Sequence, residues 1–248
     1  MELLVVIALI MLLLGVIITV GGYLRTSAQV IGCLSNQHQI SVGLSGYSRD
    51  HNSRFVSPRT SPVGLLRNDK LWVRSFDEAG HDRVDPEGFE RLDALEDGAL
   101  WPYVGSSGVY RSPLDPTPRL RSYSLSGFIS DLPDVPSNPE YGWAPVADRV
   151  SEVQNPGNTL YSIVEHDPNE NINGHGWVIN TNAGIWMDYP AFWKPRGTAT
   201  SSFVDGSTKA IKFFNPDLED ILVQHGIPAG PETQVDFDRF VEWVRIDR

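Results

Sequence analysis

The chain has 248 residues, enough for one anchor with one good-sized domain or two small ones, and sets 20 Lys plus Arg against 31 Asp plus Glu. A formal charge of -11 repels phosphate backbones and argues against nucleic-acid binding through a basic face. A single cysteine, Cys33, excludes an internal disulfide and thiolate zinc clusters, and its apolar neighbours mark it as a small packed residue.

The first element opens as MELLVVIALIMLLLGVIITVGGYLR, with no charge between Leu3 and Leu24. A helix of that length rises roughly 33 Å, enough for a bilayer core of about 30 Å. A signal peptide would want a basic start and an apolar run of about 7 to 15 residues, and neither is present. A buried core helix is disfavoured, because uninterrupted hydrophobicity at a chain terminus is unusual in globular proteins. A plain signal anchor accounts for the length but not for Glu2, since a carboxylate at the hydrocarbon edge is costly unless it has a partner. Complementing the helix dipole is the simplest role for such an acid.

The helical pattern continues through TSAQVIGCLSNQHQISVGLSGYSRDHN, where Val30, Cys33, Leu34, Ile40, Leu44 and Tyr47 form one stripe, with Gln37 as its gap. Ser35, His38, Gln39 and Arg49 point elsewhere. The predicted helix is apolar all round in its first half (residues 1–25) and amphipathic in its second (26–56), so the second half must pack on the remaining domain, 57–248.

MELLVVIALIMLLLG resembles the interior of the type IV pilin-like N-terminal signature, in which a basic leader ends in Gly, followed by Phe-Thr-Leu, one apolar residue, Glu and an apolar helix. Met1 and Glu2 match its last two positions. CLSNQHQISVGLSGYSRDHN is similar to the next segment in a bacterial group of pseudopilin-like proteins with a prepilin-type cleavage and methylation signature. Cys33, Ser35, Asn36, Gln39, Ile40, Tyr47, Asp50 and Asn52 carry that likeness, which returns in ALWPYVGSSGVYRSPLDP, RSYSLSG, VQNPGNTLYSIVEHD and SSFVDGSTKAIKF. The group's late His, nine residues before Asp-Gly, is replaced by Pro195, and Ser112 stands where the group often has a second Cys.

The resemblance implies a pilin-like α+β fold: a long N-terminal helix packed on an antiparallel β-rich head outside the cytoplasmic membrane. It implies a structural filament subunit of a type IV pilus-like or type II secretion pseudopilus, with the membrane, homologous subunits, the assembly machinery and a prepilin peptidase as partners. A leader encoded upstream is expected. Glu2 would be the counter-ion of a neighbouring subunit's N-terminal amine, consistent with the rule that charges in a low-dielectric bundle must be paired. No catalytic role is expected.

In the head, strands are expected at RSYSLSGFI, NTLYSIVE, GHGWVIN and on both sides of Asp205-Gly206, which reads as a type I′ hairpin turn. A short strand at KLWVRSF should interrupt the otherwise loop-like segment 57–99, and no internal repeat is evident. Asn215, Pro216 and Gly226 punctuate one helix. The last helix offers Val235, Phe237, Phe240, Val241 and Val244 for packing.

The chemical clusters are weaker. Asp167, Asn169 and Asn171 sit in an oxygen-rich run that resembles a calcium loop, and some pseudopilins bind calcium, but Ile172 occupies the glycine position of the loop and Asx turns explain such composition. No cofactor is required. The six His are scattered without HExxH, GxSxG or a P-loop. Seven Trp (72, 101, 143, 177, 186, 193 and 243) point to aromatic packing or, as the alternative function, to a membrane-anchored glycan-binding or adhesin module.

Overall fold

The computed structural model describes residues 2–61, 70–77, 79–129, 147–166, 174, 176–192, 197–224 and 226–246, with the side chains of residues 2, 3, 8, 16–19 and 166 outside that description. One unbroken helix, α1 (Glu2–Asp50), begins the chain, 49 residues or about 74 Å long. The head follows with short helices α2 (Leu92–Glu96) and α3 (Trp101–Val104), then strands β1 (Tyr123–Leu125) and β2 (Leu160–His166). Next come β3 (Ile179–Asn180), β4 (Ile185–Trp186), β5 (Tyr189–Pro190), β6 (Thr198–Phe203) and β7 (Thr208–Lys212). A short α4 (Leu218–Ile221), β8 (Ile227–Pro228) and the amphipathic α5 (Gln234–Val244) complete it.

The head is antiparallel throughout its named strands. The main sheet runs β1-β2-β6-β7, with β5 pairing the far end of β2, and a small sheet runs β3-β4-β8. Aromatic packing joins the two sheets. Phe240 of α5 meets Trp177 at 5.2 Å and Trp186 at 5.6 Å between ring centroids, while Trp243 meets Phe203 of β6 edge-on at 5.2 Å. Such rings supply large apolar area and favour edge-to-face contact, so α5 acts as a clamp across both sheets. The backbone closes tightly beside it: a Cβ on Gly176 would lie 2.8 Å from the Leu125 carbonyl oxygen, at a φ of +84° that L side chains rarely adopt.

Several local expectations change. KLWVRSF forms no named strand; instead Leu71, Trp72 and Val73 are fully buried, held through a parallel bridge between Ser57 and Leu71. Segment 57–99 is therefore not all surface loop. It also holds a repeat that its low apolar content hides: FDEAGHDR and VDPEGFER carry equivalent turns opened by Asp77 and Asp85. Asp77 accepts the backbone N–H groups of Ala79 and His81, and Asp85 those of Glu87 and Phe89, while Gly80 and Gly88 both have positive φ. Asp side chains that mimic a backbone turn explain why both turns open on this residue.

The Asp205-Gly206 turn is a hairpin, but not of the primed type. Gly206 donates to the Phe203 carbonyl at 2.9 Å and alone has positive φ, so the loop is a simple β-turn closed by a glycine bulge. Helix α4 spans only four residues, because Asn215 caps the N–H of Asp217 in a preceding turn rather than the helix itself. On α5, Val235 is exposed, Val241 is half-buried and Trp243 takes a buried place, since Asp236 turns inward to accept from the Phe214 and Asn215 amides.

Candidate functional site

The two halves of α1 have opposite surroundings. The apolar stretch from Leu4 has a mean hydropathy of 3.1 over 18 residues, and none of that window is buried by the rest of the chain. Leu4, Val5, Leu9, Met11, Leu12, Leu13 and Leu24 all stand exposed. The helix is long and apolar enough to cross a membrane. Glu2 opens it, and its side chain lies outside the described residues.

Gln29 reaches the head, its Nε2 donating to the Pro113 carbonyl at 2.9 Å. Gly32 follows one turn later; a Cβ there would come within 3.0 Å of Pro113 Cγ. Cys33 is fully buried, with its Sγ 2.7 Å from Ser112 Oγ, which places the two positions linked by the sequence resemblance in direct contact. Asn36 donates to the carbonyls of Gly108 and Arg111 at 3.1 and 2.9 Å. Gln37 is no gap in the stripe. It is fully buried and donates to the Thr200 carbonyl of β6 at 2.9 Å. Neighbouring His38 stays exposed, yet its Nδ1 lies 2.9 Å from the Gly206 carbonyl, so that nitrogen carries the proton and ties the helix to the hairpin.

Further along, glycine permits close approach. A Cβ on Gly43 would meet Val104 Cγ2 at 2.7 Å and Leu100 Cδ1 at 3.3 Å. Gly43→Ala is therefore expected to cost about 1 to 3 kcal/mol through overpacking, partly offset by better helix propensity, as read from the urea midpoint. The exposed Gly15→Ala should not destabilise.

The helix ends in a specific way. Asn52 and Ser53 both adopt positive φ, +56° and +62°, and the Ser53 N–H donates to the Ser48 carbonyl at 2.7 Å, the closing bond of a Schellman-type cap. Asn tolerates this conformation better than most residues. Arg149 donates to the Asn52 carbonyl at 2.8 Å, fixing the turn to the head. Tyr47 stacks on His51 at 3.8 Å, and Tyr103 of α3 donates to Asp50 at 3.0 Å. The motif residues Cys33, Asn36, Ile40, Tyr47, Asp50 and Asn52 thus build the helix seat, while Ser35 and Gln39 face solvent.

The receiving loop has its own anchor. Asp115 accepts from Ser122, Thr117 and Arg119, the last at 2.5 Å, and Ser122 Oγ in turn accepts the Ser112 amide. Burial opposes the charge, but Arg119 and these donors prevail and hold the Asp115 carboxyl below its ordinary value of 3.8. A depressed folded-state value stabilises the fold above the unfolded value and loses that contribution as pH falls through the folded one. Unfolding midpoints should therefore fall below about pH 4, and Asp115→Asn should flatten that dependence.

Asp167, Asn169 and Asn171 lie outside the described residues, as do Pro195, Trp143 and Trp193. Among the described residues no group of three His, Cys, Asp or Glu could hold a metal ion. Of the described Trp, 72, 177, 186 and 243 are buried and Trp101 is half-buried against Tyr110. No family model, curated protein or solved structure matches the chain.

Proposed function

We propose that the chain is a structural subunit of a type IV pilus-like or type II secretion pseudopilus filament. The observation that carries this reading is the division of one continuous helix into an apolar half that the chain does not bury and a half seated on the head. Before assembly, the apolar half rests in the cytoplasmic membrane with the head outside it. During assembly it exchanges lipid for the apolar helices of neighbouring copies. Glu2 pairs with the N-terminal amine of the adjacent subunit and so sets the axial register, because an unpaired carboxylate in that bundle is costly.

The polar bonds along the seat suit this work. They transmit force between helix and head without letting the head rotate on the rod. The alternative, an anchored glycan-binding module, needs exposed aromatic platforms, and the described Trp are committed to packing. Mass spectrometry of the mature N-terminus, on native protein purified from membranes, tests the proposal. A methylated residue shortly before Glu2 supports leader processing; an unprocessed, unmethylated Met1 removes it and leaves an anchored domain.

A further inference from the structure

One loop of the head follows α1 back toward its apolar half. The Arg111 carbonyl accepts from Asn36, Ser112 contacts Cys33, and Pro113 meets Gly32 and Gln29, so each step along the loop returns along the helix toward Arg25. Arg25 is the first charge after the uncharged run that ends at Leu24. With a rise of about 1.5 Å per residue, the Gln29–Pro113 contact lies only about 6 Å beyond Arg25 along the axis. The headgroup layer on each side of a bilayer core is roughly 5 to 8 Å deep. Other head contacts are more distant: the Gly206 hairpin, held by His38, lies about 20 Å beyond Arg25, and Tyr103, bonded to Asp50, about 38 Å.

The same loop turns its basic groups outward. The Asp115 side chain is fully enclosed and is bound by Ser122, Thr117 and Arg119. Arg111 Nη2 donates to the Thr117 carbonyl at 2.6 Å, which carries the guanidinium to the tip of the loop while the residue stays exposed. Pro113, Pro116 and Pro118 are exposed and stiffen the backbone there. On the helix, Arg25 and Tyr23 are exposed too. A chain of formal charge -11 thus presents arginines, with their one neighbouring acid buried, close to where its apolar helix ends. Basic and aromatic side chains are those that settle at the bilayer boundary.

We propose that the loop 111–118, together with Arg25, rests on the phosphate layer of the bilayer and so fixes the height and tilt of the head above the membrane. The inference deepens the function proposed above and rests on it, because it requires the apolar half of α1 to lie in a bilayer. Two exposed arginines add little to the affinity of such a helix, so the loop orients the head rather than anchoring the chain.

The test uses the full chain with Cys33→Ser, reconstituted at low protein density in vesicles of phosphatidylcholine with or without phosphatidylglycerol. Single cysteines at Leu12, Pro116 or Ser207 carry a fluorophore, and nitroxides on lipid headgroups or acyl chains quench it. The expected result is acyl-chain quenching at Leu12 and headgroup quenching at Pro116 about twofold or more above that at Ser207. Phosphatidylglycerol should increase the Pro116 signal and high salt should reverse that increase. Replacing Arg25 and Arg111 together with Gln should remove the dependence on phosphatidylglycerol. Pro116 quenched no more than Ser207, with Leu12 still quenched by acyl nitroxides, would overturn the loop contact and leave the membrane reading standing. An unquenched Leu12 would overturn both. A Pro116 label shielded from aqueous iodide yet unquenched by headgroup nitroxides would also overturn the proposal and assign the loop to a neighbouring copy of the chain.

Discussion

Replacing Glu90 with alanine is expected to destabilise the head by about 3 to 5 kcal/mol, the range for stranding one member of a buried ion pair. Side chains of Arg121 and Glu90 are 7% and 6% exposed, their contact is bidentate, and the Arg121 guanidinium lies over the Trp72 ring at 5.3 Å. The pair ties the segment carrying the second Asx turn to Arg121, two residues before β1 begins at Tyr123. Removing the acid leaves a desolvated guanidinium pressed against an indole. A Glu90→Met, Arg121→Met double variant should recover most of the loss, because the penalty comes from the unpaired charge rather than from losing an attraction. Urea unfolding of the three proteins separates the effects, and a Glu90→Ala midpoint equal to wild type would contradict the assignment.

Ser112→Cys should produce the opposite effect. Its Oγ already lies 2.7 Å from Cys33 Sγ, so a second sulfur would sit within bonding reach after a small rotamer adjustment. The bond would close a loop of roughly 80 residues, for which the chain-entropy model gives about 4.5 kcal/mol of stabilisation. That corresponds to a melting-temperature rise on the order of 10 °C, abolished by reductant. Thiol titration of the unfolded protein reads the outcome directly: no free thiol after oxidation is expected, and two free thiols would show that helix and loop are not held in this contact.

The long helix was legible because its signals are local: an uncharged run followed by a stripe at helical spacing. Gln37 was misplaced for an equally physical reason. Its amide is buried against a backbone carbonyl of β6, 163 residues away, and no local pattern encodes such a partner. Asn36 could be named only through a motif, because its acceptors belong to a distant loop. Strand positions around Asp205-Gly206 followed from two strand-like runs flanking a turn dipeptide, yet the turn type depends on one φ angle that dipeptide preference does not determine. The twin Asx turns escaped notice because His81 and Phe89 occupy equivalent places and share no chemistry.

The central claim is that the exposed apolar half of α1 packs against other copies of itself when the machinery is present. Cross-linking through single cysteines, placed at Leu9, Leu12 or Leu13 in a Cys33→Ser background, reads that contact in native membranes. The account predicts disulfide-linked dimers at one or more of these positions, lost when Glu2 is replaced by alanine while the protein remains membrane-bound. Monomers at every position, or dimers indifferent to Glu2, would contradict it.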